Sequence, residues 1–222
     1  MPHKRATLDK QLAQMDADIV RLASSVDQAI ARAVEALTGR DTQLAQAVID
    51  GDEEINELRF HLEEECLLIL ATQNPLARDL RRVLAVTHIT QELERIGDHA
   101  AGIARLVKRL AAEAEILSLH KLPKMARRAR QMIEASVQAY LEADAELAHA
   151  LVRRDDKLDR QYHQLLAETL LEMREDAYLT RGTYLLWAGH NLERIGDRAT
   201  NIAERVIFMT TGEFVENIPP SE

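Results

Sequence analysis

Apolar residues recur along almost the whole chain at steps of three and four, the period of a helix buried on one side. Leu93, Ile96, Ala100, Ile103, Val107 and Leu110 step by 3, 4, 3, 4, 3, and Leu192, Ile195, Ala199, Ile202, Val206 and Met209 repeat those steps. The pattern predicts helices over about 7–38, 41–72, 75–113, 121–142, 144–174 and 178–210. Local chemistry marks the breaks. Gly39 suits the left-handed residue that follows a helix. Asn74-Pro75 places a capping side chain before a proline at the first helical position, and Leu122-Pro123 opens the second half in a similar way. The stretch GEFVENIPPSE (212–222) has lost the helical period and is expected to be loose.

The helices fall into two sets. Residues 93–98 and 192–197 both read LERIGD. The match widens to QELERIGDHAAGIARLV (91–107) against HNLERIGDRATNIAERV (190–206), at an offset of 99. Upstream, GDEEINELRFHLEEECLLIL (51–70) matches RDDKLDRQYHQLLAETLLEM (154–173) at an offset of 103. The offset shrinks by about one helical turn between the blocks, so the second hairpin is the shorter. The expected fold is therefore all-α: two tandem three-helix bundles related by internal duplication. The first covers 1–116 and the second 117–222, including the C-terminal tail.

Composition narrows the class. With 46% hydrophobic but only 4% aromatic residues, the chain can bury a large, mainly aliphatic core. A net charge of −9 argues against non-specific nucleic-acid binding, which depends on Lys and Arg neutralising phosphate. The longest apolar run, CLLILA at 66–71, is too short to span a bilayer, and the N-terminal MPHKRATLDK lacks the apolar segment of a secretion signal. The lone cysteine, Cys66, reads as an inert buried thiol. These features predict a soluble, cytoplasmic protein without membrane insertion.

Leu and Ile of the hexapeptide are explained as seam residues; Glu, Gly and Asp are not. Glu94 and Asp98 lie four apart on one helix face, as do Glu193 and Asp197. Such like-charged pairs cost a few tenths of a kcal/mol in an isolated helix. Gly97 and Gly196 each cost about 1 kcal/mol relative to Ala in a helix interior. A glycine there admits a neighbouring backbone or a ligand, and paired carboxylates suit a hard cation. Asp155 and Asp159 form another such pair, matched by Asp52 and Asn56 in the first repeat. The candidate metal ligands are thus Asp52, Glu94, Asp98, Asp155, Asp159, Glu193 and Asp197. Arg95, Arg105, Arg194 and Arg205 are alternative partners for these acids. The Glu-x-x-His signature of di-iron bundles occurs once, at Glu146 and His149, and Gln43 and Gln46 stand at the matching positions. Trp187 reads as core. No phosphate-binding loop, nucleophile elbow or zinc pattern is present, so no enzyme activity is expected.

The paired LERIGD segments, each followed by an Ala and an Ile of the same seam, occur together with GDEEIN, ARDLR (77–81) and DDKLD (155–159). The chain thereby resembles the PhoU family of phosphate-uptake regulators over about 10–212. The resemblance implies side-by-side three-helix bundles in the cytoplasm. It also implies repression of the phosphate-starvation regulon and restraint of high-affinity phosphate uptake. The implied partners are the ATPase subunit of the phosphate ABC transporter and a sensor histidine kinase. Some members of the family bind Fe, Zn or other divalent ions through E/D-x-x-x-D pairs, so the resemblance implies Fe, Zn, Mn or Mg as candidate ions at the carboxylates named above. Asn56 in place of an acid, and Gly102 where the second repeat has Asn201, lead to the expectation that the second bundle is the tighter metal site. Long amphipathic helices favour a homodimer. A divalent-metal-binding or metal-storage bundle is the alternative reading.

Overall fold

The computed structural model describes residues 2–113, 119, 121–152 and 156–215. Its elements are α1 (Pro2–Gly39), α2 (Thr42–Asp50), α3 (Asp52–Gln73), α4 (Arg78–Leu110), α5 (Leu122–Glu142), α6 (Ala145–Val152), α7 (Asp156–Glu172), a 3₁₀ turn (Asp176–Tyr178) and α8 (Leu179–Thr211). No strand occurs among the described residues. The fold is all-α, with α1–α4 built from the first repeat and α5–α8 from the second.

Each repeat contains one more helix than the periodicity suggests. The predicted helix 41–72 is divided at Gly51, whose N–H bonds to Ala47 O at 3.1 Å. Glycine weakens the helix there, and Asp52, Glu53 and Glu54 then supply the negative charge that favours a new N-terminus. The predicted helix 144–174 becomes α6 and α7; residues 153–155, Asp155 among them, lie outside the described residues. The proposed boundary at 116/117 also lies outside them. Two further helix ends differ from expectation. Gly39 is the last residue of α1, and Arg40 takes the left-handed conformation (φ 52). Its guanidinium reaches the carbonyls of Leu110 and Glu113 at 2.5 and 2.7 Å. Asn74 does not cap α4 but ends α3 in the left-handed region (φ 49).

The repeats match in detail. Ala143, 103 residues after Arg40, is also left-handed at φ 52. Asp41 accepts the N–H groups of Gln43 and Leu44, and Asp144 accepts that of Leu147 in the corresponding turn. Every seam residue named on α4 and α8 is buried. Cys66 is buried as well, and burial raises its thiol pKa to about 11. Trp187 departs from expectation: it is 48% exposed.

The most extensive helix pairing is α4 with α8. The two run antiparallel, since Arg81 Nε donates to Met209 O, Arg198 to Glu92, and His99 meets Asn191. This register puts the two hexapeptides at the same level, in the middle of the crossing. The repeats are thus related by a pseudo-two-fold axis across the helices. On α1 and α5 that axis passes between Asp27 and its repeat counterpart Arg130, which pair in bidentate fashion at 2.6 and 2.7 Å. Arg82, Asp16 and Tyr140 join α4, α1 and α5 in the same interface.

Candidate functional site

The mid-helix glycines serve helix packing. A Cβ on Gly97 would lie 3.0 and 3.1 Å from Cδ1 and Cγ2 of Ile55 on α3. A Cβ on Gly196 would lie 2.4 Å from Cδ2 of Leu158 on α7. In each repeat, the helix before the hexapeptide drives an aliphatic side chain into the space that glycine leaves. The local cost of glycine is offset by close packing, and the neighbour admitted is a side chain of this chain.

The carboxylates around that contact differ between the repeats. Asp52, Glu94 and Asp98 form a mutually repelling group. Burial raises the Asp52 pKa, Asp98 adds to the rise, and Arg105 opposes it. Glu94 is also raised by burial first, then by Asp98 and Asp52, against Arg59 and Arg95. Arg59 Nε is 3.8 Å from Glu94 Oε1, and neither Asp52 nor Asp98 has an ion pair among the described residues. Asn56 turns its amide to Asp52 O on its own helix.

The second face is more nearly neutralised. Asp197 accepts from Arg194 at 2.7 Å, and Glu193 Oε2 lies 2.9 Å from His190 Nδ1. Burial still raises the Asp197 pKa, but Arg194, Arg198 and His190 oppose it, with Glu193 the repulsive neighbour. Asp159 sits on α7 beside Leu158, and Asp155 lies outside the described residues. Among the described residues the first face is thus the less neutralised of the two, with Asp52 and Asp98 outside any ion pair. On neither face do three described ligand atoms lie within 4.8 Å of one another, so a bound cation would require these side chains to close in.

Positions 102 and 201 serve the crossing between repeats. Asn201 donates to Glu92 Oε2 at 3.1 Å, and the buried Glu92 also accepts from Arg95 and Arg198. Across the pseudo-axis the counterparts are neutral. Asn191 Oδ1 lies 3.0 Å from His99 Nδ1, and 3.0 Å from where a Cβ on Gly102 would be. Gly102 thus makes room for Asn191. Burial lowers the His99 pKa, and Arg198 and Arg194 act in the same direction, against the Asn191 hydrogen bond and Asp98. Sequence reasoning missed this cluster. Its signal was the set of paired differences between repeats: Glu92/Asn191, His99/Arg198 and Gly102/Asn201.

Exposed leucines also recur in register. Leu67 and Leu68 near the end of α3 are 65% and 53% exposed, and their counterparts Leu170 and Leu171 on α7 are 51% and 60% exposed. Leu80 and Leu179, in the first turns of the following helices, are exposed as well. Because α4 and α8 are antiparallel, the two patches sit at opposite ends of the molecule. Among the described residues, no helix is long and apolar enough to cross a membrane.

The PhoU domain family model matches residues 19–107 and 122–206. A phosphate-specific transport system accessory protein PhoU homolog of Clostridium acetobutylicum is 32% identical over 214 residues, covering 96% of this chain and 98% of that protein. The homolog from Pseudomonas aeruginosa is 33% identical over 218 residues, covering 97% of this chain and 90% of that protein. Two crystal structures are also similar. PhoU from Pseudomonas aeruginosa has a TM-score of 0.87 at 32% identity, over 92% of this chain and 99% of that one. The phosphate transport system regulatory protein PhoU from Streptococcus pneumoniae has a TM-score of 0.89 at 30% identity, over 95% of this chain and 100% of that one.

Proposed function

The chain belongs to the PhoU family, and from that premise we propose that it is a non-catalytic cytoplasmic adaptor that represses the phosphate-starvation regulon and restrains high-affinity phosphate uptake. An accessory role in phosphate transport is what its relatives' names carry. The finer reading rests chiefly on the duplicated leucine patches. Each exposes two consecutive leucines near the end of a helix, apolar surface of the kind that protein-binding faces use, and they sit at opposite ends of a two-repeat body. Such a body can engage the transporter's ATPase subunit and the sensor histidine kinase together. As an adaptor, it acts by binding one state of each partner better than another, holding the kinase in its phosphatase-dominant state when phosphate is ample.

Divalent or ferric ions (Fe, Zn, Mn or Mg) would be held by Asp52, Glu94 and Asp98, and less readily by Asp159, Glu193 and Asp197. Bound there, a cation would relieve the repulsion within the first face. A homodimer fits the long amphipathic helices. The alternative, a metal-storage bundle, draws its support from those clustered acids.

Capture of the purified ATPase subunit and of the kinase's cytoplasmic region by this chain tests the reading. Replacing Leu67 and Leu68, or Leu170 and Leu171, by Ser is expected to weaken capture of one partner while the helical spectrum is kept. A chain that binds neither partner, or unchanged repression of a phosphatase reporter in high phosphate when the chain is deleted, refutes it.

A further inference from the structure

Asp18 on α1 and His61 and Glu65 on α3 each offer one ligand atom, and these atoms lie within 4.8 Å of one another. His61 and Glu65 are four apart, so they share one face of α3, and Asp18 approaches from the neighbouring helix. Asp18 is buried, with Gln14 Nε2 donating to its Oδ2 at 2.9 Å. Glu65 Oε2 is buried without a hydrogen-bond partner. His61 Nε2 lies 3.7 Å from Glu65 Oε1, and His61 is the solvent-facing member. Among the described residues no Lys or Arg pairs with Asp18 or Glu65. Two carboxylates, Asp18 almost fully buried and Glu65 partly so, therefore lie close together beside the exposed His61 imidazole. That is costly unless a positive charge completes the group.

The second repeat shows how that place is completed elsewhere. The counterparts of Asp18, His61 and Glu65, at the offset of 103, are Lys121, Gln164 and Glu168. There Lys121 Nζ lies 3.2 Å from Glu168 Oε1. An ammonium fills the position that in the first repeat is lined by Asp18 and His61. The glutamate is common to both repeats, but the built-in cation is present in only one.

We infer that Asp18, His61 and Glu65 form a site for one divalent transition-metal ion of the Zn2+ class, set apart from the hexapeptide carboxylates. One imidazole nitrogen and two carboxylate oxygens suit such an ion better than Mg2+ or Ca2+, which prefer all-oxygen shells. Three protein ligands leave a position for water on the exposed His61 side. The Gln14 amide orients the Asp18 carboxylate from outside the ligand set.

The test is a calorimetric Zn2+ titration of the full chain and of His61→Gln and Asp18→Lys. Each variant installs the residue that the second repeat already tolerates at that place, and the exposed His61 puts folding at no risk. Both variants are expected to lose one equivalent of Zn2+ or to bind it at least about tenfold more weakly. Asp18→Lys should also melt above the parent without metal, because it supplies the missing charge. Asp98→Asn, which leaves the triad intact, keeps the equivalent that His61→Gln loses. Equal stoichiometry and affinity for Zn2+ in the parent and His61→Gln overturns the assignment, as does loss of that equivalent in Asp98→Asn alone.

Discussion

Gly196→Ala separates a packing role for the hexapeptide glycine from a ligand-binding one. Replacing glycine by alanine in an exposed helix interior gains about 1 kcal/mol. Here the added Cβ would lie 2.4 Å from Leu158 Cδ2. Leu158 is completely buried, so its methyl has nowhere to turn without displacing neighbours such as Met132. Overpacking of this kind costs about 1–3 kcal/mol, so the net effect is destabilisation of roughly 0–2 kcal/mol. At this chain length that lowers the melting temperature by at most a few degrees, about 2–4 °C per kcal/mol. Leu158→Ala alone leaves a cavity and costs about 2–5 kcal/mol. In the double variant the new methyl enters that cavity and the helix gain returns. The two changes together should therefore cost less than their sum by roughly 1–2 kcal/mol, a coupling readable from urea melts at constant m-value. Additivity within about 0.5 kcal/mol would refute the packing account. So would a Gly196→Ala chain more stable than the parent by the full helix gain; if that chain also bound metal less tightly, the space would belong to a ligand. Gly97→Ala meets Ile55 at only 3.0 Å and should stay within about 1 kcal/mol of the parent.

Three further outcomes follow from the interface and the acidic face. Arg130→Asp or Asp27→Arg should each destabilise by no more than about 1 kcal/mol, because the pair is partly solvated, and the double swap should recover most of the loss in thermal melts. Glu92→Ala strips a buried carboxylate from Arg198 and Asn201 and should cost roughly 2–3 kcal/mol in urea melts, whereas Asn191→Ala on the neutral side should cost about 1. Asp52→Asn should stabilise the metal-free chain at pH 7. The folded-state pKa of Asp52 is raised, so the folded state binds its proton more tightly and the cost of the charged form fades as pH falls through that value. The advantage of Asn should therefore vanish below about pH 4, in melts recorded across that range; an advantage that grows at low pH would overturn the sign.

The seams on α4 and α8 were legible because a 3-4 rhythm depends only on one helix and its buried side. The family was legible because six residues recur in register. Gly51 was not read as a break, since a single glycine inside a helical pattern is tolerated as often as it divides one. Trp187 reads as core, but it lies on the exposed side of α8, between the buried Leu185 and Ala188. The meaning of Gly97 and Gly196 required the identity of a partner on another helix, Ile55 or Leu158, which spacing along one helix cannot supply. Which arginine compensates which acid was out of reach for the same reason. Counting nearby arginines cannot say that Arg194 turns to Asp197 while Arg95 turns away to Glu92. Comparison of the two repeats held more than either alone, because Glu92/Asn191 and Asp18/Lys121 diverge where the environments diverge.

The meeting of Asp27 with Arg130 has a consequence for how such a chain can be taken apart. A position on a two-fold axis faces its own copy. A dimer of first halves would set carboxylate against carboxylate, and a dimer of second halves guanidinium against guanidinium. At this position the halves are complements, each better matched to the other than to itself. Separately produced, they should favour the mixed pair over either self-pair by the roughly 1 kcal/mol that a partly solvated ion pair of this kind contributes.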